Sequence, residues 1–101
     1  MDKELHELAK IIVDLQKEAV KQTLTYWKPE AENIIILQSK DIDRIENTLD
    51  ALCEVAFDKE VLNVFKSLCR YYYNIDPLAT AEHINFYRVM WDNREENDSE
   101  K

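Results

Sequence analysis

The 101-residue chain contains no glycine. That absence removes phosphate-cradling Gly loops, Asn-Gly and Gly-Gly hairpins and dinucleotide fingerprints together, because each needs a backbone conformation or a close approach that a Cβ obstructs. Proline occurs only twice. The two cysteines, Cys53 and Cys69, stand sixteen residues apart with no Cys or His at metal-ligand spacing. Reduced, buried thiols are therefore expected, and neither a metal nor another cofactor. Bases are in short supply, 13 Lys and Arg against 21 Asp and Glu, for a formal net charge of -8. Such a chain lacks the positive footprint that neutralises phosphates, which argues against direct nucleic-acid binding. Long apolar runs are missing too. The longest is Ile34–Ile35–Ile36–Leu37, far short of a bilayer span. The first residues, Met1-Asp2-Lys3-Glu4, lack the basic start and apolar middle of a signal peptide, so a cytoplasmic location is expected.

What is present suffices for one core: 46% of residues are apolar and 34% charged. Apolar positions recur at helical spacing nearly throughout, and no segment alternates as a strand would. The expected class is all-α. Leu5, Leu8, Ile12, Leu15 and Ala19 form one stripe of a first helix over about 2–27, with Thr23 and Trp27 near its continuation. Lys28-Pro29 should interrupt it, since a residue before proline is pushed out of the α region. Pro29 suits the first turn of a second helix, expected over about 30–57 with the stripe Ile35, Ile42, Ile45, Leu49, Leu52 and Ala56. A fresh start capped by Ser39 or Asp41 is the alternative to one continuous second helix.

Asp58 is the next expected N-cap, opening a third helix over about 59–74 with Val61, Phe65, Leu68 and Tyr72 inward. Leu62, Val64, Cys69 and Tyr71 widen that face into an arc buried on more than one side. Asp76-Pro77, an N-cap followed by proline at the first helical position, opens a fourth helix over about 77–92 with Thr80, Ile84, Tyr87 and Trp91 inward. Residues 1–92 form one helical domain in this scheme. The acid-rich stretch 93–101 is expected to be a disordered tail.

Short links imply antiparallel neighbours, a long N-terminal hairpin followed by a shorter C-terminal one. The length mismatch predicts an overhang at the tip of the long hairpin. Val20, Leu24, Tyr26, Trp27, Ile34, Ile35, Ile36 and Leu37 would lie there, more apolar surface than two helices can hide. The alternative is a bend near Ser39 that gathers everything into one bundle.

Chemistry is thinly supplied. Neither His6 nor His83 follows a Glu by three residues, which excludes the Glu-x-x-His pattern of di-iron bundles. His6 reads as a solvated helix residue and His83 as a histidine at the edge of the core. No nucleophile elbow or Cys-x-x-Cys occurs, and no enzymatic activity is expected. Asp43, Glu46, Asp50 and Glu54 share one face of the second helix, either as a solvated surface or as an acidic patch for a basic partner. Tyr73 beside Arg70 and Arg88 offers a recognition surface, although packing is the simpler role for these rings.

The favoured expectation is a non-enzymatic cytoplasmic interaction protein, a homodimer or a partner of another protein, acting through the hairpin tip. The alternative is a small acidic inhibitor or regulator, of the mobile-element or phage type. It would present Asp43, Glu46, Asp50 and Glu54 in place of nucleic acid to a basic protein groove.

Overall fold

The computed structural model describes residues 2–92, and the tail expected over 93–101 lies outside them. Among the described residues the chain is all-α, with four helices in the order α1 (Asp2–Ile36), α2 (Ile42–Glu54), α3 (Lys59–Tyr73) and α4 (Pro77–Trp91). Three of the four begin on an aspartate. The side chains of Asp41, Asp58 and Asp76 accept from the backbone N–H of Arg44, Val61 and Ala79, satisfying donors that a helix start leaves open. The C-terminal hairpin agrees with the expected bounds to within a residue.

The N-terminal hairpin differs. The first helix does not stop at Trp27 but runs through Pro29 for 35 residues. Proline there removes one N–H and crowds the preceding turn. Contacts on either side outweigh this: Ala31 and Ile34 are buried, and Trp27 packs against the core. Lys28 Nζ lies 2.9 Å from Glu60, and Arg44 grips both carboxylate oxygens of Glu30. Tertiary packing thus overrides a local preference.

The break falls instead at 37–41. Gln38 takes a left-handed backbone, φ 51°. Ser39 N–H returns to the Ile34 carbonyl at 3.0 Å and Gln38 N–H to that of Ile35 at 3.1 Å, the paired bonds of a Schellman ending. Asp41 then caps α2, so the continuous second helix over 30–57 is replaced by 13 residues ending at Glu54. The in-phase heptad across Ser39-Lys40-Asp41 is a coincidence of spacing between two separate helices.

Helix α3 is the centre of the packing. It touches α1, α2 and α4, and α2 touches α1 and α4, while α1 and α4 do not meet. Between them Ile45, Leu49, Leu52, Val61, Leu68 and Tyr72 are completely buried. Buried hydroxyls are internally satisfied: Thr48 donates to the Arg44 carbonyl and Thr80 to that of Asp76. Tyr71 Oη donates to the Ser39 carbonyl at 2.6 Å, tying α3 to the α1–α2 link. Trp91 Nε1 donates to the Cys53 carbonyl at 2.7 Å, tying the end of α4 to α2. At 1.5 Å per residue α1 is about 52 Å long and α3 and α4 about 22 Å each. An overhang exists, but on the opposite end of the helix from the one expected. The N-terminal half of α1 projects.

Candidate functional site

Every described side chain from Lys3 to Glu18 is exposed. Among these residues are six large apolar ones, Leu5, Leu8, Ile11, Ile12, Val13 and Leu15, from 45% exposed at Val13 to 66% at Leu15. None of the described residues 3–17 makes a side-chain hydrogen bond or ion pair; the first is Gln22 to Glu18. The spacing of Leu5, Leu8, Ile12 and Leu15 is three, four, three, the seam of a helix that packs against another helix.

That seam does not continue the face α1 shows its own core. With successive residues turned by about 100°, the Leu5–Leu15 seam lies roughly a quarter turn around the axis from the face carrying Trp27, Ala31 and Ile34. A partner can therefore lie along the projecting segment without displacing α2 or α3. Taking Thr23 and Trp27 as near the continuation of this stripe merged two faces and missed the site. The phase difference was the available signal.

The residues expected at the tip are distributed otherwise. Ile34 is fully buried; Val20, Leu24, Trp27 and Ile35 are half-buried against the core. Tyr26 is exposed, edge-on to Trp27 with ring centroids 4.8 Å apart. Ile36, at the end of α1, and Leu37, on the α1–α2 link, also stand exposed. These residues do not form one surface.

The expected acidic face on α2 is partly engaged. Asp43, Asp50 and Glu54 are exposed, whereas Glu46 is half-buried and accepts from Tyr72 Oη at 2.7 Å. Burial, followed by that carboxylate, pushes the Tyr72 phenol well above its ordinary value. His83 on α4 turns Nδ1 to Asp50 at 3.4 Å and Nε2 to Glu46 at 3.9 Å. The acidic stripe therefore helps to seat α4. His6 is exposed. No group of three or more His, Cys, Asp or Glu able to hold a metal occurs among the described residues.

A second surface lies between α3 and α4. An open groove of about 530 Å³ has Leu62, Phe65, Cys69, Ile84 and Tyr87 as its floor and walls. Lys66, Arg70 and Arg88 stand at its margin, together with Tyr73 and Asp92. The three residues noted in the sequence as a recognition surface, Arg70, Tyr73 and Arg88, thus meet at this groove. Cys69 is buried in its floor, its thiol pushed up to about 12 by that burial. Cys53 is free and buried as well, its thiol likewise raised by burial. Thiols held protonated in this way are poor nucleophiles.

Comparison with family models, curated proteins and solved structures finds no match to this chain. No described helix is long and apolar enough to cross a membrane.

Proposed function

We propose that the protein is a non-enzymatic interaction module that self-associates through the projecting half of α1. One observation carries this reading: the seam Leu5, Leu8, Ile12 and Leu15 stands more than half exposed, and no other described residue covers it. Fully burying a Leu or Ile contributes about 1.5–3 kcal/mol, so the four seam side chains, each a little more than half exposed, hold roughly 3–7 kcal/mol per copy. Association costs about 4–15 kcal/mol in lost rigid-body freedom. A single buried arm barely meets that cost; two arms buried together cover most of the range. This favours a two-fold dimer in which both arms are used, the commonest closed symmetry.

The acidic-mimic alternative has weaker support, because Glu46 and Asp50 are shared with Tyr72 and His83 inside the fold. A cytoplasmic, reducing setting suits the two free, buried thiols.

Light scattering on the full chain tests the proposal. We expect twice the monomer mass at tens of micromolar, and the monomer mass for the Leu8→Asp plus Ile12→Asp variant with its helicity retained. A monomeric wild-type chain at that concentration overturns self-association.

A further inference from the structure

We propose that each projecting arm seats in the α3/α4 groove of a second copy, so that the dimer is held by reciprocal arm exchange. This rests on the self-association proposed above and names the surface that receives the arm.

Length agrees first. Residues 3–18 span about 24 Å as a helix, and the groove walls α3 and α4 span about 22 Å each. Shape agrees next, since an open furrow between two helices accepts the ridge of a third. The groove cannot be filled by its own arm. Helix α1 is continuous from Asp2 to Ile36, packs on α2 and α3, and does not meet α4. The arm that enters must come from another molecule.

Charge decides between receiving surfaces. Going round the arm at about 100° per residue, Glu4, Glu7 and Glu18 all border the same side of the Leu5–Leu15 seam. The opposite border holds the uncharged Ala9, Val13 and Gln16, with Asp2 as the one charged position among them. At the groove Lys66 and Arg70, four residues apart, follow the α3 margin, while the α4 side carries one base and one acid, Arg88 and Asp92. Neither Lys66 nor Arg70 has an ion-pair partner among the described residues. Seating the seam on Leu62, Phe65 and Ile84 with the acidic border toward α3 brings opposite charges together.

Pairing arm with arm does the reverse. An antiparallel pair with Leu5 opposite Leu15 sets Glu4 against Glu18 of the second copy, which repels. A parallel pair sets Glu4 beside Ala9 and Glu18 beside Thr23, with no base for either acid.

Sedimentation equilibrium on charge variants of the full chain provides the test. Lys66→Glu plus Arg70→Glu should raise the dimer Kd by about tenfold or more, the effect of several weak surface pairs lost and reversed at once. Adding Glu4→Lys plus Glu7→Lys to the same chain should restore dimerisation. Lys40→Glu plus Lys59→Glu, equal in net charge but away from the groove, should change the Kd much less. If the wild type dimerises and the Lys66/Arg70 variant does so with unchanged Kd, the groove is not the receiver, while self-association stands. A wild-type monomer would instead remove the earlier reading. An apolar chain with an anionic head is the competing occupant. Decanoate that raises the melting temperature of the monomeric Leu8→Asp plus Ile12→Asp variant, yet leaves wild-type dimerisation intact, would make the groove a ligand pocket and overturn arm exchange.

Discussion

Residues 3–18 and 19–36 belong to one uninterrupted helix, and both halves are rich in Leu, Ile and Val. In the second half Ala31 and Ile34 are buried, Val20, Leu24 and Trp27 pack against the core, and ion pairs tie Lys28 and Glu30 to α3 and α2. In the first half an apolar seam of equal strength meets solvent. The difference lies in phase and in reach. The packed residues Val20, Leu24, Trp27, Ala31 and Ile34 are spaced four, three, four, three, the same repeat as the seam, but they sit about a quarter turn from it around the axis. Helices α2 to α4 are also too short to accompany α1 along its length. A periodic apolar stripe therefore shows that a face is to be buried, and leaves open whether the burying surface belongs to the same molecule.

The largest contrast should appear on truncating one side chain in each half. Ile34→Ala, at a completely buried position, should lower unfolding free energy by about 2–5 kcal/mol through lost burial and a residual cavity. Leu8→Ala should change monomer stability by no more than about 0.5 kcal/mol, since its surroundings are already water. Urea unfolding at concentrations where the chain is monomeric measures both. Equal losses would mean that the arm packs within its own molecule, and the contrast between halves would fail.

Much of the fold was legible because it depends on local chemistry. Asp58 and Asp76-Pro77 mark helix starts by supplying a cap or a pre-set φ, and both act as expected. The inward face Val61, Phe65, Leu68 and Tyr72 is buried throughout, whereas the α4 face is only half right, Ile84 and Trp91 being partly exposed. Pro29 misled because its penalty is local and what outweighs it is not: Ile34 against α2 and α3, Glu30 under Arg44, Lys28 against Glu60. The stop at Gln38 was hidden for a related reason. A left-handed cap is normally signalled by glycine or asparagine, and this chain has no glycine. Misplacing that one boundary moved the overhang from one end of α1 to the other. The groove was half visible, since Arg70, Tyr73 and Arg88 drew notice, but their convergence depends on how α4 crosses α3.

A smaller effect separates the halves by pH. Arg44 donates to both oxygens of Glu30 and holds that carboxyl below its ordinary value of 4.5. A depressed carboxylate contributes its stability above the unfolded value and loses it as pH falls through the folded one. Both partners are about a quarter to a third exposed, so screening limits the pair to about 1 kcal/mol. Glu30→Gln should therefore lower stability at about pH 6 by up to that amount and match the wild type more closely at about pH 3. Glu7→Gln in the arm, which removes no ion pair, is the control. Urea midpoints at the two pH values decide it; a Glu30→Gln deficit as large in acid as at neutrality would show that the pair is not the source.

The finest test concerns how α1 ends. Its N-terminal half simply runs out into solvent, while its C-terminal half is stopped at Gln38 by the 37–41 turn. Holding a residue with a Cβ in the left-handed region costs roughly 1–2 kcal/mol. Glycine removes that strain but gives back roughly 0.5–1 kcal/mol through a more flexible unfolded chain. Gln38→Gly should thus stabilise the monomer by about 0.5–1 kcal/mol, a small upward shift in urea midpoint with unchanged slope. The dimer Kd should not move, because the arm lies at the far end of the helix and its helicity does not depend on this cap. A Gln38→Gly chain that is less stable would mean that the turn is held by the Gln38 side chain instead of by its backbone. One that is more stable but dimerises differently would mean that the two halves of α1 are coupled through the helix after all.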